Sequence, residues 1–191
     1  MKRSGLTIVE LLVVMGLLIL LLTICGQIVH PSLRVWELNR ARADLDQAAL
    51  VATTRLQRDL LSSHREAVSF RPADPCALAF PVSERYEALT GKPVFDRWVL
   101  YSLDPQNRLL YRRQWSVPPT TEPEALLDPQ LSVLAAAPPL KRVAGHVSAL
   151  RVLRPNGEGG PIRIELDLQR PARGSPEVTF RVLELNPRNS P

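Results

Sequence analysis

Cysteine is scarce in this chain, which has two cysteines among 191 residues. Cys25 lies inside a long apolar run and Cys76 lies well outside it, so we do not expect a disulfide within the chain. Neither cysteine has neighbours at the spacing that metal ligands require. Cys25 is most simply a small apolar helix residue, whereas the sequence leaves two options open for Cys76, which are burial and a disulfide between two chains.

Histidine is equally sparse, and its distribution argues against an enzyme. The three histidines, His30, His64 and His146, are far apart, and none has a nearby nucleophile or a metal-binding partner four residues away. The glycine-rich segment Gly157-Glu158-Gly159-Gly160 precedes a predicted strand, whereas a phosphate-binding loop opens a helix. It therefore indicates a hairpin turn. We predict no catalytic residue, no metal site and no cofactor.

Charge is almost absent from residues 6–29. The 24 residues of this run contain one charged side chain, Glu10. A helix of that length rises roughly 36 Å, enough to cross the approximately 30 Å hydrocarbon layer of a bilayer. Lys2 and Arg3 precede the run, which favours a cytoplasmic start and places residues 30–191 on the other side of the membrane.

Glu10 is out of place in that run. An ionised carboxylate costs roughly 2.5–3.5 kcal/mol at the centre of a membrane helix, so it should have a partner or a function. The run contains no Lys, Arg or His that could pair with it. The nearest candidate cation is the α-amino group that a cut just before Leu6 would create. In a staggered bundle of such helices, Glu10 could meet the N-terminal ammonium of a neighbour, which compensates both charges.

The first ten residues resemble the type IV prepilin signal of pilins and of the pseudopilins of type II secretion. The shared features are a basic leader, Gly5, an apolar Leu6, Thr7, and Glu10 at the fifth position after Gly5. The family usually has Phe at the position of Leu6. The resemblance implies cleavage between Gly5 and Leu6 by an inner-membrane prepilin peptidase, N-methylation of Leu6, and a role for Glu10 in filament assembly.

Three other interpretations compete for the N-terminal segment, residues 1–29. An ordinary secretory signal has a shorter apolar stretch followed by a small-residue cleavage site. A lipoprotein signal needs a small residue before the acylated cysteine, and here Ile24 precedes Cys25. A plain single-pass anchor, with Glu10 close enough to the cytoplasmic interface to reach water, is the alternative that stays open.

The sequence after the span predicts an amphipathic helix. His30-Pro31 should kink or briefly interrupt the apolar helix. From about Ser32 to Val68, small and apolar residues recur every three or four positions, with charged residues opposite. This stripe consists of Leu38, Ala41, Leu45, Ala49, Ala52, Leu56, Leu60, Ser63 and Ala67. We expect the stripe to pack on a sheet, and a coiled-coil dimer is the alternative.

Beyond residue 70 the period changes to two, which is typical of strands. The predicted strands are Ala77–Val82, Arg97–Leu103, Arg108–Trp115, His146–Arg154, an alternating segment from Ile162 to Gln169, and a last strand whose inner face is Val178, Phe180 and Val182. A four-residue connection, Asp104-Pro105-Gln106-Asn107, predicts a hairpin.

The proline-rich stretch Ser116–Pro139 lacks a steady period and is expected to be a surface excursion, with short helical turns at Glu122–Leu127 and Leu131–Ala137. The predicted fold class is α+β and pilin-like, with one long helix packed on an antiparallel sheet domain. Its expected divisions are a leader at 1–5, a membrane helix at 6–29, an amphipathic helix at 30–69 and a periplasmic sheet domain at 70–191.

Surface charge is mixed. The net charge of +5 falls to +3 without Lys2 and Arg3, and the 20 remaining arginines, scattered from Arg34 to Arg188, indicate a solvated surface, so a nucleic-acid partner is not required. A DNA-uptake pilin is nevertheless an alternative, with phosphate contacts from outward arginines such as Arg112, Arg113, Arg151 and Arg154. Glu165 and Asp167 are expected to be surface cross-strand partners of Arg181 or its neighbours.

Looser matches make the outer region similar to J-type minor pseudopilins and W-type minor pilins. They lie at Leu56-Gln57-Arg58-Asp59-Leu60, 98–101, 109–112 and 147–152. The resemblance implies a non-enzymatic subunit near a filament tip that helps to start assembly, in a type II secretion pseudopilus or a type IV pilus. Its implied partners are other pilin or pseudopilin subunits, the prepilin peptidase, the inner-membrane assembly platform and membrane lipid. A tethered enzyme or sensor is a third hypothesis.

Overall fold

The computed structural model describes residues 7–137, 141–153 and 161–170, together with the backbone of 177–185. The chain divides into two compact units, Met1–Ala41 and Arg42–Pro191. The longest element, helix α1, spans Ile8–Leu61. Its first part makes up the described portion of the first unit, and its last twenty residues belong to the second unit.

The described part of the first unit begins with an apolar helical segment that runs to Val29. This segment is long and apolar enough to span a membrane once, close to the N-terminus. The predicted brief interruption at His30-Pro31 is wrong, because α1 continues through Pro31 as α-helix, whereas the kink that was its alternative stays a prediction. Pro31 removes one amide donor from the helix, and the Ser32 hydroxyl adds a bond in the same turn by donating to the Ile28 carbonyl at 2.7 Å.

The stripe on the second part of α1 forms the core of the second unit, as predicted. Leu45, Ala49, Ala52, Leu56 and Leu60 are fully buried and pack against strands of two sheets. Leu38 is exposed, so the buried stripe begins only at Ala41. The small side chains in the stripe let the helix approach the sheets closely.

The end of α1 corrects the predicted helix boundary at Val68. The helix stops at Leu61 because two serine hydroxyls turn back on its last carbonyls. Ser62 Oγ donates to the Asp59 carbonyl at 2.9 Å, and Ser63 Oγ donates to the Leu60 carbonyl at 2.7 Å. Ser63 then forms an isolated antiparallel bridge with Val82, which fastens the helix end to a strand.

Five antiparallel strands form the larger sheet, in the order β1-β2-β3-β4-β5. They are β1 (Ser69–Arg71), β2 (Cys76–Tyr86), β3 (Pro93–Asp104), β4 (Leu109–Thr120) and β5 (Lys141–Gly145). The predicted hairpin between β3 and β4 is confirmed, with Asp104 opposite Leu109. The Asp104 carboxylate caps the turn by accepting hydrogen bonds from the backbone amides of Gln106 and Asn107, both at 3.0 Å.

The smaller sheet has three antiparallel strands, β6 (Val147–Leu153), β7 (Ile162–Arg170) and β8 (Glu177–Leu185). The prediction placed one strand at His146–Arg154 and missed β5. The chain changes sheets between β5 and β6 at His146, whose φ is 64°. The inner-face side chains predicted for β8 and the glycine-rich turn at 157–160 lie outside the described residues.

The proline-rich stretch is more regular than expected. Strand β4 continues to Thr120, and helix α2 spans Asp128–Ala136, which confirms one of the two predicted helical segments. The other, Glu122–Leu127, is not helical. Leu131 of α2 is buried on the face of the large sheet that presents Ala77, Ala79, Trp98 and Leu100. The large sheet therefore carries apolar packing on both faces, in an α+β fold.

Candidate functional site

The start of α1 is the first candidate site, and it is built as a reciprocal cap. Thr7 precedes the first helical residue, and Glu10 is the third residue of the helix. Glu10 Oε2 accepts hydrogen bonds from the Thr7 amide at 2.9 Å and from the Thr7 hydroxyl at 3.0 Å. The Glu10 amide in turn donates to Thr7 Oγ1 at 3.3 Å. This is the Thr-x-x-Glu capping box, which satisfies amide groups that a helix start leaves unpaired.

The cap changes one expectation about Glu10. The sequence argument sought every partner of the carboxylate outside its own run, yet Thr7 supplies two hydrogen bonds from within it. The Thr-x-x-Glu spacing was the available signal. The Thr7 groups are neutral, so the negative charge itself is not compensated by them. Both bonds converge on Oε2, and the cap holds the carboxylate at the N-terminal end of the helix, where the helix dipole favours negative charge.

The predicted cleavage and methylation residues, Gly5 and Leu6, lie outside the described residues. Glu10 is the predicted site residue that the structure describes, and its geometry is compatible with a cut that leaves one residue, Leu6, before Thr7. Cleavage at that point leaves the Thr7 amide and hydroxyl in place. The cap on Glu10 therefore does not depend on the leader.

The side chains after Glu10 are apolar on every face of the helix. Between Leu11 and Leu22, each large apolar side chain is more than half exposed. An added methyl group at Gly16 or Gly26 would meet no atom within 4 Å. A helix that is apolar all round requires lipid or other apolar helices around it.

Comparisons with known proteins give no match: no protein-family model, curated protein or solved structure matches this chain. The functional assignment therefore depends on the residues and the geometry alone.

The outward arginines expected for phosphate contacts are largely engaged within the second unit. Arg112 Nε donates to Asp59 Oδ2 at 2.7 Å, and Arg112 Nη1 donates to Gln114 at 3.1 Å. Arg151 lies 3.3 Å from Asp167 Oδ2. Arg113 has a buried Nη1 without a hydrogen-bond partner in the described part of the chain. Arg154 lies outside the described residues.

Glu165 and Asp167 are less exposed than predicted. Glu165 is 8% exposed, and its carboxylate lies 3.0 Å from Arg163 Nε. The cross-strand partner of Glu165 is Arg151 on β6, whereas Arg181 lies opposite Leu166. Glu165 and Asp167 lie opposite Val182 and Phe180, the neighbours of Arg181, as the prediction allowed, but the cation beside both acids is Arg151 from the other neighbouring strand.

A partly buried polar cluster joins the last turn of α1 to the large sheet. Asp59 Oδ2 accepts hydrogen bonds from Tyr101 Oη and Arg112 Nε, both at 2.7 Å. The side chains of Asp59 and Arg112 are 15% and 23% exposed, and Tyr101 is fully buried. Burial raises the pKa of the Tyr101 hydroxyl well above its ordinary value, and the nearby Asp59 charge adds to that effect. We call these three residues the Asp59 cluster.

The structure separates the three histidines, as their spacing suggested. His30 is exposed on α1, and His64 packs edge-on against Phe95 with ring centroids 5.6 Å apart. His146 lies at the junction of β5 and β6. In the described part of the chain, no three His, Cys, Asp or Glu side chains are grouped so that they could hold a metal ion.

Cys76 should be a slowly reacting thiol. Its Sγ is half-buried and donates to the Leu150 carbonyl at 3.5 Å. Burial, followed by the Asp74 charge, raises the pKa of the thiol from 9.0 to about 11. At pH 8 this shift lowers the thiolate fraction about a hundredfold. In a Cys25→Ala background, iodoacetamide should therefore label the folded chain far more slowly than the urea-unfolded chain. Equal labelling rates in the two states would contradict this environment and restore an exposed thiol available for a disulfide between chains.

Proposed function

We propose that this protein is a minor pilin-like or pseudopilin-like subunit, anchored in the bacterial inner membrane and incorporated into a filament. The observation that carries the proposal is Glu10. A single carboxylate is held at the first turn of a helix that is otherwise uncharged to Val29 and apolar on every face. A plain membrane anchor has no need for that charge.

Assembly gives the charge a purpose. Cleavage after Gly5 creates an ammonium group on Leu6, and a neighbouring subunit displaced along the helix axis can bring that ammonium to Glu10. In hydrocarbon, the pairing removes the cost of two isolated charges. The Thr7 hydrogen bonds support this role, because they fix the direction of the carboxylate before the partner arrives and so reduce the ordering cost of pairing.

The second unit is proposed to supply side contacts with other subunits rather than catalysis. Its α+β fold contains two sheets, helix α2 and the last twenty residues of α1. We propose a location near the filament tip, with the prepilin peptidase, the assembly platform and sister subunits as partners. The N-terminus is proposed to be cytoplasmic before cleavage and the second unit periplasmic. The filament is a type II secretion pseudopilus or a type IV pilus.

The DNA-uptake alternative gains no support from the arginines first considered for it. Arg112 is committed to Asp59, and Arg151 is committed to Asp167 and lies beside Glu165. Contact with a phosphate backbone would require these ion pairs to be exchanged. The non-enzymatic assembly function is therefore preferred.

Deletion in the native host tests the function. Loss of the gene should reduce the number of surface or periplasmic filaments and the export that depends on them, and a plasmid copy should restore both. A decrease in secreted protein with normal pili would assign the secretion system, and the reverse would assign a pilus. Unchanged filaments and unchanged export, with the protein shown to be expressed in the parent strain, would contradict the proposal.

A further inference from the structure

A cationic pocket lies on the second unit, away from the Asp59 cluster. It has a volume of about 530 Å³ and is bounded by the helical residues Asp44 and Gln47, by Arg142 of β5, by His146 and by Arg170 at the end of β7. We call it the Arg142 pocket. The sequence alone predicted no binding site among these residues.

Positive charge exceeds negative charge around this pocket. His146 lies close to the guanidinium groups of Arg170, Arg142 and Arg108, with Asp44 as the opposing acid. Two guanidinium groups line the pocket, those of Arg142 and Arg170, against the Asp44 carboxylate, which leaves an excess of one positive charge, and the Arg108 guanidinium lies nearby outside the lining. The environment also lowers the pKa of the His146 imidazole, first through burial and then through Arg170 and Arg142, so the ring is neutral at pH 7 and able to donate one hydrogen bond.

The three arginines near His146 differ in their hydrogen-bond and ion-pair partners. Arg142 and Arg170 line the pocket, and Arg108 lies beside it. Arg170 Nη1 pairs with Asp44 Oδ2 at 2.5 Å, which fixes its guanidinium at the rim. Arg108 donates to the Gln169 carbonyl at 3.4 Å. Arg142 is exposed and has no acidic partner within the described residues. Arg142 is therefore the guanidinium that is most available to a ligand.

The backbone beneath the pocket adopts unusual conformations. Arg108 and His146 are both non-glycine residues in the left-handed region, with φ values of 53° and 64°. They are neighbours, because the amide of Val147 donates to the Arg108 carbonyl at 3.0 Å. The Gln169 amide also donates to the His146 carbonyl at 2.7 Å. Such conformations cost free energy and tend to occur where a side chain must be placed for a function.

Gly145 makes room for the Arg142 side chain. The Arg142 Nη2 atom lies over Gly145 so closely that a methyl group there would overlap it. Gly145 is buried and does not have a left-handed φ, so its backbone conformation does not demand glycine. Because Gly145 has no side chain, there is room for the guanidinium of Arg142 to lie over it at the pocket.

We propose that the Arg142 pocket binds a phosphate-class oxyanion, with Arg142 and Arg170 as the charged donors. Guanidinium groups match phosphate oxygens in geometry, and they remain charged at every physiological pH. A phosphomonoester carries about −1.5 to −2 charges at pH 7 and three acceptor oxygens, so two guanidinium groups can each bind separate oxygens of one phosphate group. Asp44 and Gln47 supply acceptors for a hydroxyl group on the ligand. The site is independent of the filament function proposed above, so failure of one leaves the other standing.

The probe is inorganic phosphate, added to the full chain in a maltoside detergent at constant ionic strength with chloride as the balancing salt. We expect saturable binding by calorimetry, a rise in melting temperature, and a shift of the His146 imidazole NMR signal. Acetate should bind more weakly because it carries one charge. Equal binding of acetate and phosphate, or no saturable binding, would overturn the proposal and leave Arg170 as the partner of Asp44 and Arg142 as an exposed surface arginine.

Variants locate the site. Arg142→Ala should weaken phosphate binding about tenfold or more, as expected for loss of a charged hydrogen-bond donor. Gly145→Ala should weaken it too, because the methyl group displaces a flexible guanidinium without straining the backbone. Arg55→Ala, which removes an exposed arginine of α1 that does not line the pocket, is the matched control and should bind normally. Normal binding by Arg142→Ala would move the site elsewhere and contradict the assignment.

The ligand source is tested with vesicles. Phosphatidic acid vesicles present the phosphomonoester on a membrane, and inorganic phosphate presents it in solution. Competition between the two for the full chain, lost in Arg142→Ala, would show that a lipid headgroup can occupy the pocket. Phosphate binding that vesicles do not compete for would assign a soluble ligand.

Discussion

Replacing Glu10 with Gln should leave the start of α1 folded but remove the protein from its filament. A glutamine side chain accepts the same hydrogen bonds from Thr7, so the cap survives while the charge is lost. If Glu10 acts by pairing with the ammonium of a neighbour, incorporation should decrease roughly tenfold or more, since loss of one partner from a low-dielectric ion pair costs several kcal/mol. Membrane insertion should be unchanged or improved. The measurement is the ratio of protein in sheared filaments to protein in the membrane.

A displaced charge is the matched control. Glu10→Val combined with Val14→Glu keeps the composition of the helix and moves the carboxylate one turn deeper on the same face. The displaced carboxylate is away from Thr7 and out of register with the ammonium, so incorporation should stay low. Normal incorporation of Glu10→Gln would mean that Glu10 is only a helix cap. Normal incorporation of the displaced variant would mean that any charge in the helix suffices.

Loss of the Asp59 carboxylate should cause a large loss of stability in the second unit. Asp59→Ala leaves the Tyr101 hydroxyl and the Arg112 guanidinium without their shared acceptor. Leaving a partly buried cation unpaired should reduce the free energy of unfolding by about 3 kcal/mol. Urea unfolding of the full chain in detergent, followed by tryptophan fluorescence, measures this change.

The control for Asp59 is Glu124, an exposed acid without a partner in the described hydrogen bonds and ion pairs. Glu124→Ala should change the free energy of unfolding by less than about 0.5 kcal/mol. If Asp59→Ala also changed the free energy of unfolding by less than about 0.5 kcal/mol, the Asp59 cluster would make no net contribution to stability. If Tyr101→Phe and Asp59→Ala were additive in the double variant, the hydrogen bond between them would be of no consequence.

Periodicity predicted most of the fold because the chain alternates cleanly between two periods. The buried stripe from Leu45 to Leu60, the β3-β4 hairpin and strand β7 all follow from it. The end of α1 does not follow from the periodicity. Ser63 and Ala67 continue the apolar stripe and are buried, although the helical hydrogen bonds end at Leu61. The spacing of apolar residues in a sequence reports burial and does not report the hydrogen-bond pattern.

Contacts between distant residues account for the rest. Gly145 directly precedes His146, so a glycine signal was present at the change of sheet between β5 and β6, but it did not predict that the left-handed φ would lie at His146. The ion pair between Arg170 and Asp44 joins positions 126 residues apart. Asp59 belonged to the charged face of its helix by sequence, and only the strand register reveals that Tyr101 and Arg112 are adjacent across β3 and β4. The Thr7-Glu10 cap is local and could have been predicted.

The N-terminal mass of the mature chain tests the central proposal most directly. The full chain is expressed in membranes with and without a prepilin peptidase, and its intact mass and N-terminal peptide are measured by mass spectrometry. With the peptidase, we expect loss of residues 1–5 and one methyl group on Leu6. Without it, the leader should remain. An intact Met1 in both cases, or a cut near Cys25, would contradict the prepilin assignment and leave Glu10 as the cap of an ordinary membrane anchor or signal.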